Sequence, residues 1–305
     1  FSRIIADLEK SVSKGQAFSD SLGKYPLIFS ELFINMVRVG EASGNLDEVL
    51  KNLAGQMEKD HELISRVRGA MIYPTVIIIV MVVIGILMMI MVVPRLAATF
   101  AELKIDLPWT TKLVVFTGQF LASYFIFGFA GLIILIILSR QASKTKTGKK
   151  IIDFVFLNMP VLGRLTRQVN SARLARILSS LIEAGVPIVS ALQIIARTMN
   201  NFFFCQSLLD AAEEVQKGGT LSKALENFPR LYPAMVVQMT EVGETTGSLS
   251  KILQSLADFY EEEVTNVTKN LSSVIEPVLM VLIGAVVAFF AIAMIQPLYS
   301  MMNQI

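Results

Sequence analysis

The 305-residue chain is 53% hydrophobic and 17% charged, and its 27 basic and 25 acidic residues leave a formal net charge of +2. That balance excludes the basic field a nucleic-acid-binding protein needs. One cysteine, Cys205, and one histidine, His61, exclude an intrachain disulfide and a cysteine-based zinc site, and leave almost no general base.

In chain order, residues 1–14 read as an amphipathic helix without the apolar core of a signal peptide. The start at Phe1 points to sequence missing upstream. Residues 1–70 are expected to form a first, partial helical domain. Its last helix opens at Asn45, which with Glu48 makes a capping-box-like start. Apolar positions 46, 49, 50, 53, 57, 64, 67 and 71 form one stripe along it. No stop signal follows, so the helix is expected to run on into the charge-free segment 71–93. That segment exceeds the ~20 helical residues needed to cross a bilayer. Pro74 should bend the helix at the membrane surface.

Residues 94–112 then read as a loop, 113–138 as a second charge-free span, and 139–273 as a second, complete helical domain. Its first long helix is expected to open near Asn170, followed by helices at about 203–216, 221–227 and 231–242 and a long one from Leu249. Segment 274–296 is a third span, with Pro277 at its start, and 297–305 a tail. No run alternates with period two, so the expected class is all-α, with three spans and antiparallel helical bundles.

Orientation follows from basic residues at the span ends. Lys59, Arg66 and Arg68 precede the first span, and Arg140, Lys144, Lys146, Lys149 and Lys150 follow the second. This bias puts the N-terminus and 139–273 in the cytoplasm and 94–112 outside. Trp109 and Tyr299 suit the outer interface. The lysines of 146–150 also suit anionic lipid.

A shift of 203 residues matches the sequence to itself without a gap from Val12 to Pro94. Lys14-Gly15 meets Lys217-Gly218, Pro26 meets Pro229, Pro74 meets Pro277, and VGEASGNL at 39–46 meets VGETTGSL at 242–249. A register held so long indicates duplication of a unit made of one bundle and one span. It also places about 35 missing residues upstream, because the second bundle's first helix has no counterpart.

The two VGExxG segments are expected between the last two helices of each bundle. Gly40, Gly44, Gly243 and Gly247 supply turn conformations there, with positive φ at Gly44 and Gly247. Glu41 and Glu244 read either as caps on the next helix N-terminus or as contact points for a partner. Glu261, Glu262 and Glu263 read as a solvated face or as a cation site. Glu276, an acid near the start of the third span, either reaches the interface or marks a functional position. His61 is expected exposed and Cys205 in the core. Lys146-Thr147-Gly148-Lys149-Lys150 lacks the first glycine and the Ser or Thr of a phosphate loop. No cofactor, metal or catalytic site emerges. A transporter or channel subunit is the alternative reading, weakened by parallel repeats and spans nearly free of polar residues.

The segments MVVQMTEVGETTGSL, ADFYEEEV, IEPVLMVLIG, FVFLNMPVLG, Ala172-Arg173 and Ala184-Gly185-Val186-Pro187, with Ile105 to Thr110, resemble the family of the type II secretion F protein and the type IV pilus protein PilC. The resemblance covers the whole chain. It implies a non-enzymatic platform in the bacterial inner membrane, a homo-oligomer. The partners implied are a hexameric cytoplasmic ATPase, pilin or pseudopilin subunits, other inner-membrane assembly proteins and membrane lipid. ADFYEEEV leans toward the pilus branch.

Overall fold

The computed structural model describes residues 1–95, 98, 116, 141 and 145–302. The second expected span, Trp109 and most of the 94–112 loop lie outside the described residues. Every regular element among those described is helical, as the absence of alternating patterns implies.

Four helices come first: α1 (Ser2–Ser13), α2 (Phe18–Gly23), α3 (Glu31–Ser43) and α4 (Leu46–Leu87). Seven follow residue 145: α5 (Lys146–Asn158), α6 (Pro160–Glu183), α7 (Ile188–Thr198), α8 (Phe202–Gln216), α9 (Leu221–Glu226), α10 (Ala234–Thr246) and α11 (Leu249–Met302). Their boundaries carry the sequence repeat. The ends of α1 and α8, and both ends of α2 and α9 and of α3 and α10, are 203 residues apart, as are the starts of α4 and α11.

Local chemistry explains most boundaries. The side chains of Ser30, Asn201, Thr220 and Thr145 each accept a backbone N–H of the first turn of α3, α8, α9 and α5, satisfying donors that a helix start leaves unpaired. Two expected boundaries differ. The helix expected at 231–242 is α10, shifted to 234–246. Its N-cap is Pro233, and Phe228 to Pro233 form a turn closed by hydrogen bonds from Leu231 and Tyr232 to the Phe228 carbonyl. The helix expected near Asn170 opens ten residues earlier, at Pro160, where proline suits the first helical turn.

Phe1–Arg66 and Thr145–Val267 form one compact unit. Leu22, Met36 and Leu53 are buried in its first part, and Leu178, Leu181, Leu192, Ile195, Phe204, Leu208 and Tyr232 in its second. Phe204 meets Tyr232 edge-on at 5.3 Å between ring centres, and the Tyr232 hydroxyl lies 2.7 Å from that of Ser207. Within this unit α6 binds to both long helices. Arg173 pairs with Asp60 of α4 at 2.7 Å, and Arg176 pairs with Asp258 and Glu261 of α11 at 2.5 and 2.8 Å.

The second unit comprises Val67–Lys144 and Thr268–Ile305. Among its described residues are the apolar halves of α4 and α11. α4 runs unbroken through Pro74 to Leu87 and ends in a π-helical turn, Met88–Val92. Beside Pro74, the Thr75 hydroxyl donates to the Met71 carbonyl at 2.7 Å. Leu46–Arg95 is long and apolar enough to cross a membrane, and 6% of its most apolar window is buried. A core helix of a soluble protein would be mostly covered. α11 continues as helix through the expected tail as far as Met302.

Candidate functional site

The two VGExxG segments lie inside α3 and α10, not between helices: only Gly44 and Gly247 stand outside, as C-caps. Each glycine and acid of the motif has its own task. Gly44 and Gly247 have φ of 72° and 65°, the left-handed conformation in which a Cβ is strained. Asn45 N–H then donates to the Gly40 carbonyl at 2.9 Å, and Ser248 N–H to the Gly243 carbonyl at 3.0 Å, closing the two helix ends in the same way.

Gly40 and Gly243 serve close approach. A Cβ on Gly243 would stand 2.9 Å from the Leu249 Cα, and one on Gly40 would stand 3.1 Å from the Val49 Cβ. The bare backbone lets the long helices start against the helices that precede them. Neither close approach is visible in local spacing.

The acids do not cap the helix that follows, as the sequence suggested. They reach back to the short helix before. Glu41 accepts the N–H groups of Phe18 and Ser19 at 2.5 and 2.9 Å, at the start of α2. Glu244 accepts those of Leu221 and Ser222 at 2.6 and 3.0 Å, and the Ser222 hydroxyl at 2.6 Å, at the start of α9. A carboxylate there satisfies open N–H groups and lies at the positive end of the helix dipole. Burial pushes Glu41 up, but the hydroxyl and amide of Ser19, the Phe18 amide and the charge of Arg38 outweigh it and hold the carboxyl below its ordinary range. This motif therefore staples the short helix, the helix carrying it and the start of the long helix into one corner.

The corners differ on the outside. Arg38 lies 3.5 Å from Asp20, and the matching positions carry Glu241 and Lys223. The charges are exchanged across the same helix pair.

The other expected positions are distributed through the chain. Glu261 and Glu263 face α6, where Arg176 and Arg164 with Gln168 engage them, and Glu262 is exposed. His61 and Glu276 are exposed. Cys205 is half-buried, a correction to its expected place in the core; Phe204 beside it takes the interior position. Pro74 and Pro277 both lie within long helices. Sequence reasoning missed Arg173 and Arg176 as braces, because their partners are 113 and 82–85 residues away.

A family model for "Type II secretion system (T2SS), protein F" matches residues 1–94 and 174–297. The chain is 35% identical to type IV pilus assembly protein PilC of Myxococcus xanthus over 306 residues, covering all of this chain and 73% of that protein. It belongs to the T2SS protein F family. It is also 34% identical to PilC of Thermus thermophilus, covering 99% of this chain and 74% of the relative. Against type II secretion system protein F of Vibrio cholerae it is 33% identical, covering 98% and 74%. The two stretches matched by the protein F family model hold both stapled corners, all of α4 and α11 as far as residue 297.

Proposed function

We propose that this chain is the inner-membrane platform of a type IV pilus or type II secretion machine. In this reading it spans the membrane at 71–93, 113–138 and 274–296. The N-terminus and the compact helical unit are cytoplasmic, and the 94–112 loop is outside. The chain arose by duplication of a unit in which a stapled bundle feeds a span. The observation that carries the proposal is likeness along the whole of this chain to PilC and protein F relatives, combined with two long helices that each continue from bundle residues into apolar ones. The coincident helix boundaries support the duplication.

The platform performs no chemistry of its own. It passes work from a cytoplasmic hexameric ATPase to pilin or pseudopilin subunits in the membrane, through protein contact. The cytoplasmic bundles receive the motor, and Arg173 and Arg176 of α6 hold α4 and α11 together. Glu41 and Glu244 are structural staples, so partner contacts fall on the charge-exchanged exteriors, Arg38 with Asp20 and Glu241 with Lys223. Several copies assemble.

The experiment is deletion of the chain from its own cells, with complementation. Surface fibres or secreted substrate should be lost while pilin or pseudopilin still accumulates in the membrane. Photo-crosslinkers at Arg38 and Glu241 should capture the ATPase. Unchanged assembly in the deletion strain would refute the platform role.

A further inference from the structure

Helix α5 turns an apolar face outward. Ile151, Phe154 and Val155 share one side of the helix and are 60, 53 and 50% exposed. Leu157, three residues beyond Phe154, is buried. The one acid of α5, Asp153, also faces inward, accepting the Phe202 N–H at 2.7 Å. The outward face therefore carries no carboxylate. Phe154 continues it to Phe203, with ring centres 6.4 Å apart.

Beside this face lies a cavity of about 740 Å³ whose lining includes Phe154, Phe203, Phe228, Arg167 and Arg230, with no acid among its described lining residues. The flanking sequence has the same sign. Arg140, Lys144, Lys146, Lys149 and Lys150 crowd the start of α5, and no Asp or Glu occurs between Asp106 and Asp153. The charge-free run 113–138 ends just before, so residues 139–145 are all that separates it from the helix. Such a link reaches at most ~25 Å when fully extended.

We propose that α5 is an interfacial helix that binds the anionic surface of the cytoplasmic leaflet. Ile151, Phe154 and Val155 enter the boundary between headgroups and acyl chains, and Lys150 and Arg230 meet lipid phosphates. This rests on reading 113–138 as a membrane span. At 13 residues α5 is too short to cross a bilayer but suits lying in its plane. A second copy of the chain or a peptide would satisfy the apolar face. Neither accounts for the tether to a span or for a cavity lined by arginines without acids.

The test uses the full chain with Cys205→Ser, carrying a nitroxide on a single cysteine placed at Val155 or, as an aqueous reference, at Glu226. Each is reconstituted in nanodiscs of phosphatidylcholine, with and without phosphatidylglycerol. The nitroxide at 155 should be more accessible to oxygen than to a water-soluble nickel chelate, at a depth of about 5–10 Å, and that at 226 the reverse. Phosphatidylglycerol should deepen the 155 signal, and Lys150→Gln with Arg230→Gln should weaken that dependence. Two results would overturn the proposal: equal nickel access at 155 and 226, or no response to phosphatidylglycerol. Labelling of Ser222→Cys separates the two levels of failure. If position 222 is cytoplasmic while 155 is aqueous, the interfacial helix fails and the span stands; if 222 lies outside, the span reading fails with it.

Discussion

Ser222 gives the carboxylate of Glu244 two hydrogen bonds, 3.0 Å from its backbone N–H and 2.6 Å from its hydroxyl. The counterpart, Ser19 with Glu41, shares the backbone bond at 2.9 Å, and its hydroxyl also helps to hold the Glu41 carboxyl down. At α9 the carboxylate works alongside the capping side chain of Thr220, whereas the N-cap of α2 is Ala17, which makes no side-chain cap bond.

Glu41 should therefore confer an acid-sensitive contribution to the first corner. Its folded pKa is lowered, so its stabilisation is complete above the unfolded value, about 4.3, and is lost as pH falls through the folded value. Amide exchange at Ser19 should lose protection as the pH falls below the unfolded value. Glu41→Gln should lower that protection by about 10–100-fold near neutral pH, the range of a hydrogen bond to a charged group, and flatten the acid response. Unchanged protection in the variant would contradict the staple.

Gly243→Ala should cost more than Gly40→Ala. The added methyl at 243 meets the Leu249 backbone at 2.9 Å, whereas at 40 its nearest neighbours, at 3.1 and 3.2 Å, belong to the Val49 side chain. Overpacking against an immovable backbone costs about 1–3 kcal/mol. Thermal unfolding of the two purified variants measures the difference, and equal losses would argue against it.

Gly247→Val should destabilise the second corner by more than ~1 kcal/mol, since a β-branched residue does not suit a φ of 65°. Gly247→Asn should retain most of the stability, because asparagine tolerates this conformation. Denaturant titration of both variants checks the order.

Topology is open to direct labelling. With Cys205→Ser as background, cysteines at Ser19 and Ser222 should react with an impermeant reagent only after cell disruption, and one at Lys104 should react in intact cells. Labelling of 222 in intact cells would contradict three spans.

Much of the architecture was legible in the sequence because its punctuation is local. Gly15, Gly44, Gly185, Gly218 and Gly247, all with positive φ, follow helices at the places where the periodic pattern stops. The repeat then transferred the boundaries of one half to the other. What escaped reading is long-range. The acids of the motif bond to amides 22–23 residues upstream, and no helical periodicity records such a bond. The break between α5 and α6 was also missed. It depends on Pro160 and on Gly163, where a Cβ would lie 2.2 Å from the Leu157 carbonyl oxygen.

The proposed passage of motor work into the membrane, if it runs along the continuous helices, is most directly tested in α11. This helix runs unbroken from Leu249 to Met302. A flexible Gly-Ser insertion after Val267, in cells whose only copy carries it, should leave folding and membrane insertion intact. Counts of surface fibres, or of secreted substrate, should then fall to those of the deletion strain; normal assembly with the insertion would contradict transmission along α11.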